Sequence, residues 1–175
     1  VAVDADGNVY VAGSALPRPG NTDFVTIKYD PAGEPLWTAY RDWSAHDDAR
    51  YLAIDVEGSV YLAGDFVSRA ENSDKAAHQD IGVVKYGPDG QELWSISLNG
   101  GDGTNEVASA LRLGQDGSIY VTGTILPPAG DGVSPPAAEY VTVRYEANGG
   151  PLWTVRHRGF DQAVSMAQGL ALDSD

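Results

Sequence analysis

The sequence predicts an all-β fold built from a four-stranded antiparallel unit repeated about three times. Three observations lead to this reading. A ten-residue stretch recurs as YDPAGEPLWT from Tyr29, YGPDGQELWS from Tyr86 and YEANGGPLWT from Tyr145. A second stretch recurs between its copies: VDADGNVYVAG from Val3, IDVEGSVYLAG from Ile54 and LGQDGSIYVTG from Leu113. Inside each unit the apolar residues alternate with period 2, the spacing of a strand with distinct faces.

The elements of one unit follow in order. In the middle copy a first strand runs through Leu52–Asp55, a second through Val60–Gly64, a third through Ile81–Tyr86 and a fourth through Glu92–Ser97. In DFVTIKYD from Asp23, Val25, Ile27 and Tyr29 take one face while Phe24, Thr26 and Lys28 take the other. The β-branched and aromatic residues favour a pleated surface. Between strands stand DADGN, DVEGS and GQDGS, then DPAGE, GPDGQ and EANGG, each with glycine where a tight hairpin needs positive φ. No ten-residue helical pattern interrupts them.

Four hairpin-linked strands in tandem are the layout of a propeller blade. The fold class is therefore a β-propeller fragment of about three four-stranded antiparallel blades. It forms a single domain over 1–175, with units near 1–51, 52–110 and 111–169 and the start of a fourth at 170–175. A sheet this small cannot bury both faces alone, so the blades are expected to stack. Trp37, Trp94 and Trp153, with Tyr29, Tyr86 and Tyr145, are assigned to the joints between them, and Gly13, Gly64 and Gly123 mark the same position in each copy. The chain opens and closes inside a unit, so a longer array or self-assembly is expected to complete a ring of ~4–8 blades.

Composition narrows the partners. Of 175 residues, 11 are Lys or Arg and 25 are Asp or Glu, giving a formal charge of −14. Such a surface repels phosphate backbones, so no nucleic-acid partner is expected. Cysteine is absent, which excludes disulfides and thiolate metal sites. No apolar run approaches the ~18 residues of a spanning helix, so no membrane span is expected.

The units AVDADGNVYVAG and DFVTIKYDPAGEPLWT resemble the SBBP-type β-propeller repeats of bacterial, mostly secreted or cell-surface, proteins. The resemblance covers nearly the whole chain. It implies the propeller architecture and an extracellular or cell-surface setting, and those repeats commonly carry no assigned chemistry. The GxxLW element is similar to the Trp-docking motif of quinoprotein propellers and of related outer-membrane assembly scaffolds. Where that motif has Thr before Gly, this chain has Ala32, Asp89 and Asn148, and the vicinal cysteine pair of some quinoprotein dehydrogenases is absent.

Antiparallel strands put the turns joining strands one to two, and three to four, on one face. The other connections fall on the opposite face, and there the sequence varies: SALPRPGNT, DFVSRAENSDKAAHQ and TILPPAGDGVSPPAA share neither length nor composition. Loops on a rigid scaffold are where binding residues gather. On that face Asp47, Asp48, Asp102, Glu106 and Asp161 fall near equivalent blade links, as weak binding candidates. No cofactor is expected, though brought together these carboxylates would suit Ca²⁺; a solvated acidic rim is the plainer expectation. The DxDG-like turn at Asp4–Gly7 is too short for a calcium loop of the EF-hand kind and reads as a hairpin.

No catalytic constellation stands out. His46, His78 and His157 lack metal spacing, Ser44, His46 and Asp47 are chain neighbours rather than a triad, and NGGDGTNE from Asn99 lacks the ending of a phosphate loop. Asp23, Asp80 and Glu139 recur with Lys28, Lys85 and Arg144 five residues on, which suggests structural pairing or edge protection. LPPAGDGVSPP from Leu126 reads as a surface loop. The expected function is a non-enzymatic, extracytoplasmic scaffold or recognition module that binds protein or glycan through the variable loops. The alternative is part of a propeller enzyme, quinoprotein-like or hydrolytic, with its site split among blades.

Overall fold

The computed structural model describes residues 1–44, 46–68, 77–101, 103–128, 137–159 and 165–173. Twelve strands and no helix lie among them. The first sheet holds β1 (Ala2–Val3), β2 (Val9–Arg18), β3 (Asn21–Tyr29) and β4 (Pro35–Arg41). The second holds β5 (Asp47–Ile54), β6 (Val60–Ser68), β7 (His78–Tyr86) and β8 (Glu92–Leu98). The third holds β9 (Asn105–Leu113), β10 (Ile119–Leu126), β11 (Glu139–Tyr145) and β12 (Pro151–Arg158). Each sheet is antiparallel with its strands in chain order, as in a propeller blade. No helix among the described residues is long and apolar enough to cross a membrane.

The first strands β5 and β9 pack on the preceding sheets and on each other, so the blades fan outward from them. Both begin earlier than the hydrophobic pattern predicts. That pattern places Asp47 and Asp48 in a link, yet they open β5, and Glu106 lies in β9. A bulge accounts for the difference: pairing shifts at Arg50 and again at Ser109, which interrupts the alternation where the strand continues.

Burial follows the period-2 pattern across two joints. Val60, Leu62, Val84 and Tyr86 of the middle blade pack toward the first blade with Tyr10, Phe24 and Ala39. Tyr61, Ala63, Ile81 and Val83, on the opposite face, pack toward the third blade with Ala108, Leu111, Val121 and Val141. The middle sheet is thus covered on both sides, and β6 is buried along nearly its whole length.

The repeated tryptophans fasten one blade to the next. Trp37 Nε1 donates to the Pro88 carbonyl at 2.9 Å, and Trp94 Nε1 donates to the Ala147 carbonyl at 3.1 Å. Each indole lies on the outer turn of the following blade and meets a preceding tyrosine edge-on, Tyr10 for Trp37 and Tyr61 for Trp94. Gly90 and Gly149, at φ 82° and 88°, complete those turns and leave room for the ring. A Cβ on Gly90 would come within 2.8 Å of Trp37. Trp153 keeps its tyrosine, Tyr120, but is 39% exposed. Tyr86 and Tyr145 are buried as expected, whereas Tyr29 is only half-buried.

The glycine after each second-strand alanine or threonine has its own cause. A Cβ on Gly64 would collide with the Asp48 carbonyl and sit 2.8 Å from the Phe24 ring of the previous blade. On Gly123 it would meet Val107 O at 2.6 Å and the Ile81 side chain. Gly13 has open space, because only the short β1 precedes it. Gly64→Ala is therefore expected to cost about 3 kcal/mol through overpacking against backbone, and Gly13→Ala to stay within about 0.5 kcal/mol. Urea midpoints of the two variants check this. Trp94→Phe should lose about 1 kcal/mol with its hydrogen bond, while Trp153→Phe should leave the midpoint unchanged.

Candidate functional site

At the turn end of the blades a groove of about 960 Å³ opens between the hairpins. Asp4, Asp55, Glu57, Lys28, Lys85 and Pro88 are among the residues lining it. The carboxylates of Asp4 and Asp55 are used by their own hairpins. Asp4 accepts from the Asp6 and Asn8 amides, the Asn8 side chain and the Tyr10 hydroxyl. Those bonds, led by Asn8, hold its carboxyl below the usual range. Asp55 repeats the pattern with Glu57, Ser59 and Tyr61. In the third blade Gly114 takes the Asp55 position; Asp116 serves instead, bound by Ser118 and by Arg144 at 2.6 Å.

The expected structural role of Lys28, Lys85 and Arg144 lies at this end too. Lys28 sits 5.0 Å above Tyr10, Lys85 4.8 Å above Tyr61 and Arg144 5.5 Å above Tyr120. Their ionic partners, where present, are Asp4 for Lys28 and Asp116 for Arg144. They do not pair with Asp23, Asp80 and Glu139, since residues five apart on a strand take opposite faces.

At the loop end two sets of hydrogen bonds recur at each joint. The residue after the repeated glycine accepts an amide from the next unit: Ala49 N to Ser14 Oγ at 3.2 Å, Ala108 N to Asp65 Oδ1 at 2.6 Å and Ala167 N to Thr124 Oγ1 at 3.3 Å. The residue two before each of these alanines closes the preceding link. Asp47 Oδ2 accepts from Trp43 N at 2.7 Å, and Ser165 Oγ accepts from Gly159 N at 2.9 Å. Glu106 faces the equivalent Gly100 amide.

This geometry corrects the expectation of a solvated acidic rim at two of its members. Asp47 is 1% exposed and Glu106 fully buried. The candidates are also not gathered. Asp47 lies with Asp23 and Asp42, one carboxylate oxygen of each within 4.8 Å of the others. Glu106 faces Asp80. Asp48 is exposed, accepts from Ser14 Oγ at 3.0 Å and pairs with Arg50 at 3.1 Å. Asp102 and Asp161 lie outside the described residues.

Burial governs the charge here. Desolvation, then the Asp80 carboxylate, push Glu106 up to about 7 against bonds from Thr104 and Gly100. Desolvation pushes Asp47 up to about 6, opposed by the Trp43 and Ser44 amides and reinforced by Asp42 and Asp23. Asp65 is raised by burial and held back by the Ala108 amide and by Arg50, whose Nε lies 2.5 Å away. The histidines stay apart in role: His46 bridges to Thr22 through its backbone, His78 faces Asp80 at 3.6 Å and His157 stacks on Tyr140. Ser44 donates to the Val67 carbonyl rather than to His46.

Asp23, Asp42, Asp65 and Asp80 escape a reading of single loops as site residues. The signal that finds them is the alignment of the units: counting from the tryptophans and tyrosines, Asp23, Asp80 and Glu139 are equivalent, and so are Asp42, Asn99 and Arg158.

Comparison with known proteins agrees with the architecture. No family model matches the chain. Over 133 residues it is 34% identical to the Regulatory protein FlaEY of Caulobacter vibrioides, covering 70% of this chain and 13% of that protein. Over 98 residues it is 30% identical to an uncharacterized WD repeat-containing protein of Acanthamoeba polyphaga mimivirus, covering 49% of this chain and 7% of that protein. The chain thus spans a small part of the length of both relatives. Among solved structures, the lignostilbene dioxygenase of Pseudomonas brassicacearum superposes with a TM-score of 0.51 at 18% identity, covering 83% of this chain and 34% of that one. The likeness is one of fold: the chain is a propeller module.

The carboxyl pair predicts a pH dependence. Glu106 holds its proton more tightly folded than unfolded, so its contribution to stability is complete below its ordinary value near 4.5 and lost as pH rises through about 7. Asp47 acts in the same direction up to about 6. The urea midpoint should therefore fall between pH 5 and pH 8, and Glu106→Gln, which keeps the shape without the charge, should flatten that fall.

Proposed function

We propose that this propeller module is non-enzymatic and works outside the cytoplasm, recognising a protein or a glycan through the loops at the β2–β3, β6–β7 and β10–β11 ends. The observation that carries this reading is the contrast between the two ends of the blades. At the turn end a tyrosine under a cation recurs blade after blade, and a carboxylate of each hairpin, Asp4, Asp55 or Asp116, is used locally. At the loop end the backbone is stapled identically in every unit, while the connecting sequences differ freely. A uniform frame holding divergent loops is the arrangement of a recognition surface. Near the loop end of β2, beside the first such loop, Leu16 is exposed.

Among the described residues no grouping favours the catalytic alternative. Each histidine has a separate structural partner, and the buried carboxyls are committed to the joints. The printed name of the Caulobacter relative describes a regulatory protein, which accords with a role in contact rather than in turnover. The extracytoplasmic setting rests on the resemblance of the repeats.

Exchanging the β2–β3 end at 16–20 and the connections at 69–76 and 127–138 for short Gly-Ser turns should abolish capture of partners from an extract of the source organism, and leave the circular dichroism unchanged. Glu57→Gln, at the turn end, should leave capture intact. Capture that survives the loop exchange, or that fails with Glu57→Gln, contradicts the proposal; a glycan array separates the two partner classes.

A further inference from the structure

Both covered joints are built from the same parts: a tryptophan laid on the next blade's outer turn, an apolar face behind it, and a first strand whose backbone presses on the repeated glycine. The first and third blades each carry one half of a further joint. Trp153 holds the place of Trp37 and Trp94, yet its Nε1 makes no hydrogen bond among the described residues, and it is 39% exposed. The turn that would receive it stands unused on the first blade. Gly33, at φ 88°, matches Gly90 and Gly149. A Cβ on either of those would meet an indole, whereas one on Gly33 would meet nothing within 4 Å. Pro31 matches Pro88 and Ala147, whose carbonyls accept from the two buried-side tryptophans.

The apolar faces tell the same story. Val9, Val11, Ile27 and Tyr29 are the first-blade counterparts of Val60, Leu62, Val84 and Tyr86. The middle-blade set is buried against the first blade, while the first-blade set is only half-buried. The strand is missing too. A Cβ on Gly64 or Gly123 would strike the carbonyl of Asp48 or Val107 in the adjoining first strand, but Gly13 recurs over open space. β1 pairs with β2 only at Val9 and Tyr10, so β2 from Val11 to Ala15 has no strand on that side among the described residues. Its match lies beside the third blade. Residues 165–172 align with β5. They rest on that blade through Ser165 N to Ala138 O at 3.2 Å and Ala167 N to Thr124 Oγ1 at 3.3 Å, and pair with no second strand among the described residues.

We propose that the third blade is a docking surface for the first blade of a second copy of this chain, with residues 165–172 of one copy serving as the inner strand for β2 of the other. In the register of β5 on β6, Ala167 faces Gly13, Leu170 faces Val11 and Leu172 faces Val9. The Met166 carbonyl then takes the place over Gly13 that Asp48 O holds over Gly64. The two residue pairs of β1 yield to this longer strand. Trp153 lies on the turn at Gly33 of the second copy and donates to its Pro31 carbonyl. The contact is head-to-tail, and two copies engaged reciprocally supply six blades, within the ~4–8 at which propellers close. It uses sheet faces and the β2 edge, not the loop sequences invoked for recognition, so its failure leaves that reading untouched.

Light scattering of the full chain from ~1 to ~100 μM tests this, and a discrete dimer is expected within that range. Trp153→Phe, which loses only the indole donor, and Gly13→Ala, which puts a Cβ where the incoming carbonyl must lie, should each weaken dimerisation at least ~tenfold. Neither should alter the circular dichroism of the dilute monomer. Val56→Ser, a control at a fully exposed turn of the middle blade, should leave dimerisation unchanged. Hydrogen exchange adds a readout of register: amides of residues 9–15 should exchange more slowly in the dimer than in the diluted chain. A chain that stays monomeric throughout, a dimer indifferent to both substitutions, or one in which residues 9–15 gain no protection overturns the proposal.

Discussion

Every blade of this protein has two apolar faces and nothing of its own to cover them. This constraint orders the rest of the structure. A four-stranded sheet of strands no longer than ten residues is too small to curl over its own side chains, so both faces must be supplied by neighbours. The middle blade meets the requirement by sending alternate residues of β6 in opposite directions, Val60 and Leu62 to one side and Tyr61 and Ala63 to the other. The tryptophan on the outer turn, the glycine under the bulge and the polar residue after it are all devices for bringing the next sheet close enough. Contact between successive sheets is the main source of stability, and the local turns serve to set register.

The consequence for charge is less obvious. Close approach of the sheets at the loop end buries the head of each first strand, and the backbone there needs an acceptor for the preceding link's amide. A carboxylate is a strong acceptor, but its charge is stranded once the joint closes. Asp47, Glu106 and Ser165 are three answers at one position. Serine accepts the amide without carrying charge. Glutamate is pushed up to about 7 by burial and so keeps its proton to higher pH than an exposed carboxyl. Aspartate brings two further carboxylates with it. Acidity that looks like a surface property in the composition is therefore partly an interior one.

The fold was legible because its determinants are local. Alternation, DG turns and a tryptophan at fixed offset are all visible within twelve residues, and repetition separates them from chance. The candidate site was legible only in part. Asp47 and Glu106 were singled out by their place near blade links, yet their burial was not foreseen, because it depends on β5 and β9 continuing past a bulge that breaks the period-2 pattern. Asp23 and Asp80 recur conspicuously, but the nearest cations in sequence lie on the opposite face of the strand. Their true neighbours come from the next unit, at a distance along the chain that no local window spans.

The staple from Ser14, Asp65 and Thr124 to Ala49, Ala108 and Ala167 always runs forward, from one unit into the one that follows. A joint is therefore written half in each of two consecutive copies, and every copy carries the same two halves. Deleting or duplicating one whole period at any point regenerates an intact joint at the seam. Gene-level recombination can lengthen or shorten such an array without new compensating substitutions, whereas a cut of any other length destroys two joints at once. The architecture thus makes blade number the easiest property of this protein to vary in descent, and the register of a blade the hardest.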